Sequence, residues 1–248
     1  MKIFMKKFLI ATITAVAMSG VASAADMAVK ARPAPAPAYN WTGCYLDAGG
    51  GYGMWNQSHY GFSTVVGAVT PEQTAGGRGY YGTVGGGCDY QFAVGGLGNF
   101  VVGVLGGYDF MDLKGAFSTI LSPPGVDAYE KETSSWDIGG RIGYLVTPNF
   151  LAYVSGGYTQ AHFSALQFPL TTLPATTYRG YFIGGGAETS LSPWLPAGFF
   201  LRSDYKVSTY QAANLIYTVG GVPLAIGEHM NNYVQQVGTE LIYRFNYR

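Results

Sequence analysis

The sequence predicts an all-β fold: an eight-stranded antiparallel up-and-down transmembrane β-barrel, with short turns at one end and four long loops at the other. Three observations carry that prediction. The composition is poor in helix formers and holds 37 glycines, 20 tyrosines and 14 phenylalanines, with charged residues at 11%. Such a mixture suits alternating strands in close contact better than a helical bundle or an α/β enzyme. From Trp41 onward the chain also repeats one grammar, an alternating run and then a break, eight times over. Within each run, one phase is apolar and aromatic, whereas the other carries full charges among glycines.

Before the repeats lies "MKIFMKKFLIATITAVAMSGVASAAD". Lys2, Lys6 and Lys7 precede an apolar run, and Ala22-Ser23-Ala24 supplies small residues for cleavage, so residues 1–24 read as a signal peptide removed between Ala24 and Ala25. The apolar run is shorter than the roughly 18 residues a membrane-spanning helix needs, and no later segment reaches that length. Residues 25–40, "ADMAVKARPAPAPAYN", read as a Pro/Ala-rich periplasmic linker favouring extended backbone. Residues 41–248 form the barrel domain. The whole chain has zero formal charge. Removing the three signal lysines leaves it mildly acidic, with no basic stripe for nucleic acid.

The predicted strands are 41–56, 78–92, 99–113, 134–146, 149–163, 178–192, 198–212 and 231–247. Their connections alternate in length: "AVGGLG", "TP" and "PWLPA" are short, and the segments 57–77, 114–133, 164–177 and 213–230 are read as long loops. An even number of strands with this alternation is the plan of an outer-membrane barrel. A soluble barrel would share the closure but would turn its charges outward, so the face that bears the charges decides the solvent.

The charged phase supplies Asp47 in the first strand, Asp89 in the second and Asp109 in the third. Asp137 and Arg141 follow in the fourth, and Glu188 in the sixth. Arg202, Asp204 and Lys206 lie in the seventh, and Glu240 and Arg244 in the eighth. The same phase is rich in glycine, which suits a lumen only wide enough for side chains to fill. The opposite phase is bulky and uncharged, with aromatics near strand ends, as a lipid-facing surface requires. The eleven charged residues are therefore expected to form a lumen ion-pair network, either a plug against water flow or a packed polar core. Arg141 and Arg244 are the expected central partners, because a guanidinium can bridge two carboxylates.

Cys44 and Cys88 share the outward phase of neighbouring strands near the short-turn end. They can form a cross-strand disulfide in an oxidising compartment or stand as two small residues facing lipid. His59, His162 and His229 fall near the loop end; no two share ligand spacing, and solvated loop histidines are expected, with no metal and no cofactor. "HFS" at 162–164 places His162 and Ser164 in one phase, similar to lipid A deacylases, but no acid is placed to orient the base. "GRGYYG" (77–82) starts a strand and lacks the strand-to-helix context of a dinucleotide fingerprint. "NWT" at 40–42 says nothing in a chain with a bacterial-type export signal.

The ordered set "YNWTGCYLDAGGGYG", "GGGCDYQF", "FVVGVLGGYDF", "IGGRIGYLVTPNFLAYVSGGY", "GGGAETSLS", "LRSDYK" and "LIYRF" resembles the small outer-membrane β-barrel family that includes opacity-like and alphaproteobacterial surface immunogenic proteins. The resemblance implies an eight-stranded barrel with both termini in the periplasm, exposed loops and no established catalysis. It also implies an insertion signature at Tyr243 and Phe245. This chain departs from it where Asn246, Tyr247 and Arg248 follow Phe245, and where Leu105 replaces a frequent acid. The expected location is the cell outer membrane. The expected partners are outer-membrane lipids including lipopolysaccharide, and the barrel insertion machinery. The expected function is structural and surface-exposed, not enzymatic: envelope integrity and external contacts through the loops. A narrow pore for small solutes is the alternative, followed by a lipid-modifying enzyme.

Overall fold

A computed structural model describes residues 40–118, 128–192 and 194–245. The signal peptide, its cleavage site at Ala24 and Ala25, and the linker up to residue 39 lie outside the described residues. Twelve strands are present among the residues described: β1 (Gly43–Ser63), β2 (Gly67–Ala68), β3 (Gln73–Val94), β4 (Gly98–Phe117), β5 (Ala128–Thr147), β6 (Phe150–Phe163), β7 (Leu166–Gln167), β8 (Thr172–Leu173), β9 (Thr176–Ser190), β10 (Phe199–Tyr210), β11 (Ala213–Val219) and β12 (Val222–Arg244).

Eight of these make the barrel. Antiparallel pairing runs β1-β3-β4-β5-β6-β9-β10-β12, and β12 returns to β1 from Tyr45↔Arg244 to Ser63↔Ile226. The ring leaves no barrel edge unpaired, which satisfies backbone amides between strands. The turns β3–β4, β5–β6 and β9–β10 lie at one end, and the longer connections at the other.

The strands correct the expected loops. Gln57 to Ser63 continue β1, Gln73 to Gly77 precede the expected second strand in β3, and Ala128 to Thr133 extend β5. Most of 213–230 is a β-hairpin of β11 and the start of β12, while β2, β7 and β8 are two-residue strands within the remaining loops. The barrel therefore rises well beyond the runs with the clearest alternation. In these extensions polar residues occupy both phases, as in "AYEKET" (128–133), and the period-2 contrast is lost.

Exposure separates the two faces. Leu46, Tyr80, Val104, Ile138 and Ile183 are all more than half exposed on the outside, whereas Asp89, Asp109, Asp137, Arg141 and Glu188 are buried inside. Two glycines show why small residues share the inner face with charges. A Cβ on Gly103 would lie 2.1 Å from Asp89 Oδ1, and one on Gly238 would lie 2.4 Å from Tyr81 Oη.

Candidate functional site

The lumen is the candidate site, and it is built in layers. At the turn end, Trp41 folds into the mouth ahead of β1. Its backbone N–H donates to Gln91 Oε1 at 2.8 Å, and its indole Nε1–H donates to the Pro148 carbonyl at 3.1 Å. Its ring packs on Phe200 at 5.0 Å, within a buried cluster that includes Val101, Leu151 and Ile242. This apolar stopper was missed in the sequence, because Trp41 reads there as the first residue of a strand.

Above the stopper, Glu188 accepts from three arginines: from Arg141 Nη1, from Arg202 Nε at 2.9 Å and from Arg244 Nη2 at 2.7 Å. Asp89 accepts from Arg141 Nε and Nη2 at 2.9 and 2.5 Å, and from Arg244 Nη1 at 2.8 Å. Arg202 Nη1 also reaches Glu240 at 2.8 Å and Asp47 at 3.4 Å. The Tyr45 ring lies among the three guanidinium groups, at 4.8, 5.1 and 4.8 Å from Arg141, Arg202 and Arg244. Planar cations stacked on a ring and bonded edge-on to carboxylates form a rigid layer. Arg141 and Arg244 each bridge Asp89 and Glu188, Arg202 joins them, and Glu188 is the hub.

A second ionic group lies further toward the loops. Lys206 Nζ donates to Asp137 at 2.6 Å and to Asp109 at 3.1 Å, and Asp109 also accepts from Gln236 and Ser135. Asp204 accepts from the Tyr153 hydroxyl at 3.1 Å. Between the two groups is a cavity of about 60 Å³ touching Asp47, Asp137, Arg202, Asp204, Lys206 and Glu240. That is room for on the order of four water molecules in a polar setting. All eleven sequence-predicted charges thus face one lumen.

The loop half differs. Trp55, Leu113, Phe117, Phe163, Tyr178 and Met230 are fully buried and form an apolar core inside the barrel. Trp55 stacks edge-on to Phe163 at 5.9 Å, and Phe163 meets Tyr178 at 5.4 Å. Glu132 is buried here, opposite Leu113 and Phe163 in register, and neither carboxylate oxygen has a hydrogen-bond partner among the described residues. Glu130 and the facing pair Gln57 and Asn232 are buried on the same level. Gln57, Glu130 and Glu132 fall in segments the sequence predicts as loop, and the signal that could have found the two glutamates is the spacing of Ala128, Glu130 and Glu132 against Tyr129 and Lys131.

The histidines divide. His59 is buried, not solvated: its Nδ1 lies 3.4 Å from Glu228, and its ring packs 4.2 Å from Phe117, because β1 continues past the expected strand end. His162 and His229 lie outward, pairing with Thr177 and Asn214. Ser164 Oγ accepts from the Lys131 backbone N–H, and His162 bonds Thr177, so these two residues are not coupled as base and nucleophile. No group of three potential metal-ligating His, Cys, Asp or Glu side chains occurs among the described residues.

Cys44 and Cys88 stand directly opposite on β1 and β3, joined as a disulfide with Cα atoms 4.0 Å apart. Tyr243 and Phe245 lie on the outer face, ring to ring at 5.4 Å, and the Phe245 N–H donates to the Cys44 carbonyl.

Residues 12–245 match the family described as "Outer membrane protein beta-barrel domain". Among solved structures, the outer membrane protein OprG from Pseudomonas aeruginosa is similar at 11% identity and a TM-score of 0.50, over 83% of this chain and 98% of that one. AlkL, determined in lipid bilayers, is similar at 15% identity and a TM-score of 0.45, over 86% and 96%. Neisserial surface protein A is similar at 11% identity and 0.39, over 82% and 98%. The sequence has no match among the curated proteins.

Proposed function

This chain belongs to the outer membrane protein β-barrel domain family, and from that premise we propose a structural role for it: a closed barrel that reinforces the envelope and offers its loops to the exterior. The observation that supports this is the filled lumen. The Trp41 stopper, the arginine–carboxylate layer and the apolar core lie in series, and the lumen cavity is only about 60 Å³. An eight-stranded barrel filled by side chains leaves no wide channel, so the work falls to the wall and the loops.

Deletion of the gene, followed by detergent challenge of the cells, tests the role. The expected result is increased sensitivity, restored by the wild-type chain and equally by a Glu188→Gln chain that still folds. Unchanged sensitivity in the deletion strain would remove the envelope role. The polar cavity favours the second reading, a narrow pore for small solutes, with cations preferred because it is lined by more carboxylates than bases. That reading requires both the arginine layer and the apolar core to open, and steady conductance across a bilayer is its test.

A further inference from the structure

We propose that Arg78, Lys114 and Lys131 form a binding row for the phosphorylated headgroup of an outer-leaflet glycolipid. Arg78 of β3 stands directly opposite Lys114 of β4, and Lys114 directly opposite Lys131 of β5. All three lie on the outer face, with Arg78 and Lys114 exposed and Lys131 partly so. Like charges directly opposite one another on neighbouring strands are destabilising, so the isolated barrel gains nothing from this arrangement. Asp112 bridges Lys114 and Lys131 at 3.0 and 2.7 Å, leaving three cations against one carboxylate.

Height on the wall selects the ligand. Arg78 is the next outward-facing residue beyond Tyr80, which is 75% exposed, and Lys114 and Lys131 lie loop-ward of Phe110 and Trp136. Exposed aromatics mark the edge of the apolar band, so the row sits at headgroup level on the extracellular side. There the outer membrane presents an acidic glycolipid, and basic clusters at membrane surfaces bind such headgroups. Three strands span about 10 Å, the scale of a sugar headgroup. The concentration is also selective. Of the eight lysines and arginines in the described residues, Arg141, Arg202, Lys206 and Arg244 are in the lumen, three form this row, and Arg179 is the remaining one. A guanidinium flanked by two ammonium groups suits phosphate oxygens.

This assignment rests on the envelope role above but has a separate test, so either can fail alone. Folded full chain in a neutral detergent is titrated with bisphosphorylated lipid A. The temperature at which the compact, unheated gel band is lost is then recorded. The expected result is a rise in that temperature for the wild type. The Arg78→Gln/Lys114→Gln/Lys131→Gln variant should require at least tenfold more lipid A, whereas Arg179→Gln should respond as wild type. The compact band without lipid reports whether the triple variant folds; if it does not, Lys114→Gln alone should require several-fold more lipid. An equal response from the variant would overturn the row. Equal stabilisation of the wild type by dephosphorylated lipid A, by phosphatidylglycerol or by soluble glucosamine phosphate would overturn the phosphorylated glycolipid as its ligand.

Discussion

Glu188 and Glu132 are both fully buried in the same lumen, yet one accepts from three arginines and the other has no hydrogen-bond partner among the described residues. The periplasmic half is held by charge and the extracellular half by apolar packing, with carboxyl groups set into it. The difference teaches how a narrow barrel can be filled in two ways. Within the apolar band, the outer face must be uncharged and bulky, so the inner face takes charges and glycines. Beyond the band, as β1, β3, β4, β5 and β12 rise into water, the outer face can carry Lys114 and Lys131. The inner face then takes Trp55, Leu113 and Phe117, as in an ordinary soluble core.

The largest effect separating the halves should come from Glu188→Ala. It strips three guanidinium groups of a shared acceptor and is expected to cost about 3–5 kcal/mol, the usual range for breaking a buried ion pair. Urea unfolding in lipid vesicles, followed by tryptophan fluorescence, measures it; a loss below 1 kcal/mol would mean that the layer is hydrated and adaptable. In the other half, Leu113→Ala should cost about 2–5 kcal/mol through the cavity it leaves. A near-zero cost would show that the extracellular core is loosely packed.

Two smaller effects sharpen the contrast. Losing the disulfide in Cys44→Ser/Cys88→Ser should destabilise by about 2–4 kcal/mol, seen as a lower urea midpoint for the variant than for the non-reduced wild type; an equal or higher midpoint for the variant would contradict it. Glu132→Leu should have the opposite sign to Glu188→Ala. Replacing an unpaired buried carboxyl with an apolar group is expected to stabilise by about 1–3 kcal/mol. A loss of stability there would reveal a partner for Glu132 and make the halves alike.

The sequence made the periplasmic half legible because two opposite solvents act on the two faces of each strand. Asp137, Gly139, Arg141 and Gly143 alternate with Trp136, Ile138, Gly140 and Ile142, and that contrast yields both the strand and the face it turns to the lumen. Which charges meet could not be read, since Arg202 of β10 reaches Asp47 of β1 past the intervening β12. In the extracellular half both phases face polar or mixed surroundings, so Glu130, Lys131 and Glu132 look like a loop although they are strand. Trp41 was hidden for another reason: its burial depends on the chain turning into the mouth, where Pro148 and Gln91 hold it. The cationic row needed register as well, because Arg78, Lys114 and Lys131 are far apart in sequence and meet only through strand pairing.

The most direct test of the central claim, that two unlike plugs close one lumen in series, is ion conductance of the folded protein in a planar bilayer. The wild type is expected to carry no steady current, and Glu188→Ala to leave it closed because the extracellular core remains. Steady conductance by the wild type would contradict the account, since ions would then be passing both the arginine layer and the apolar core.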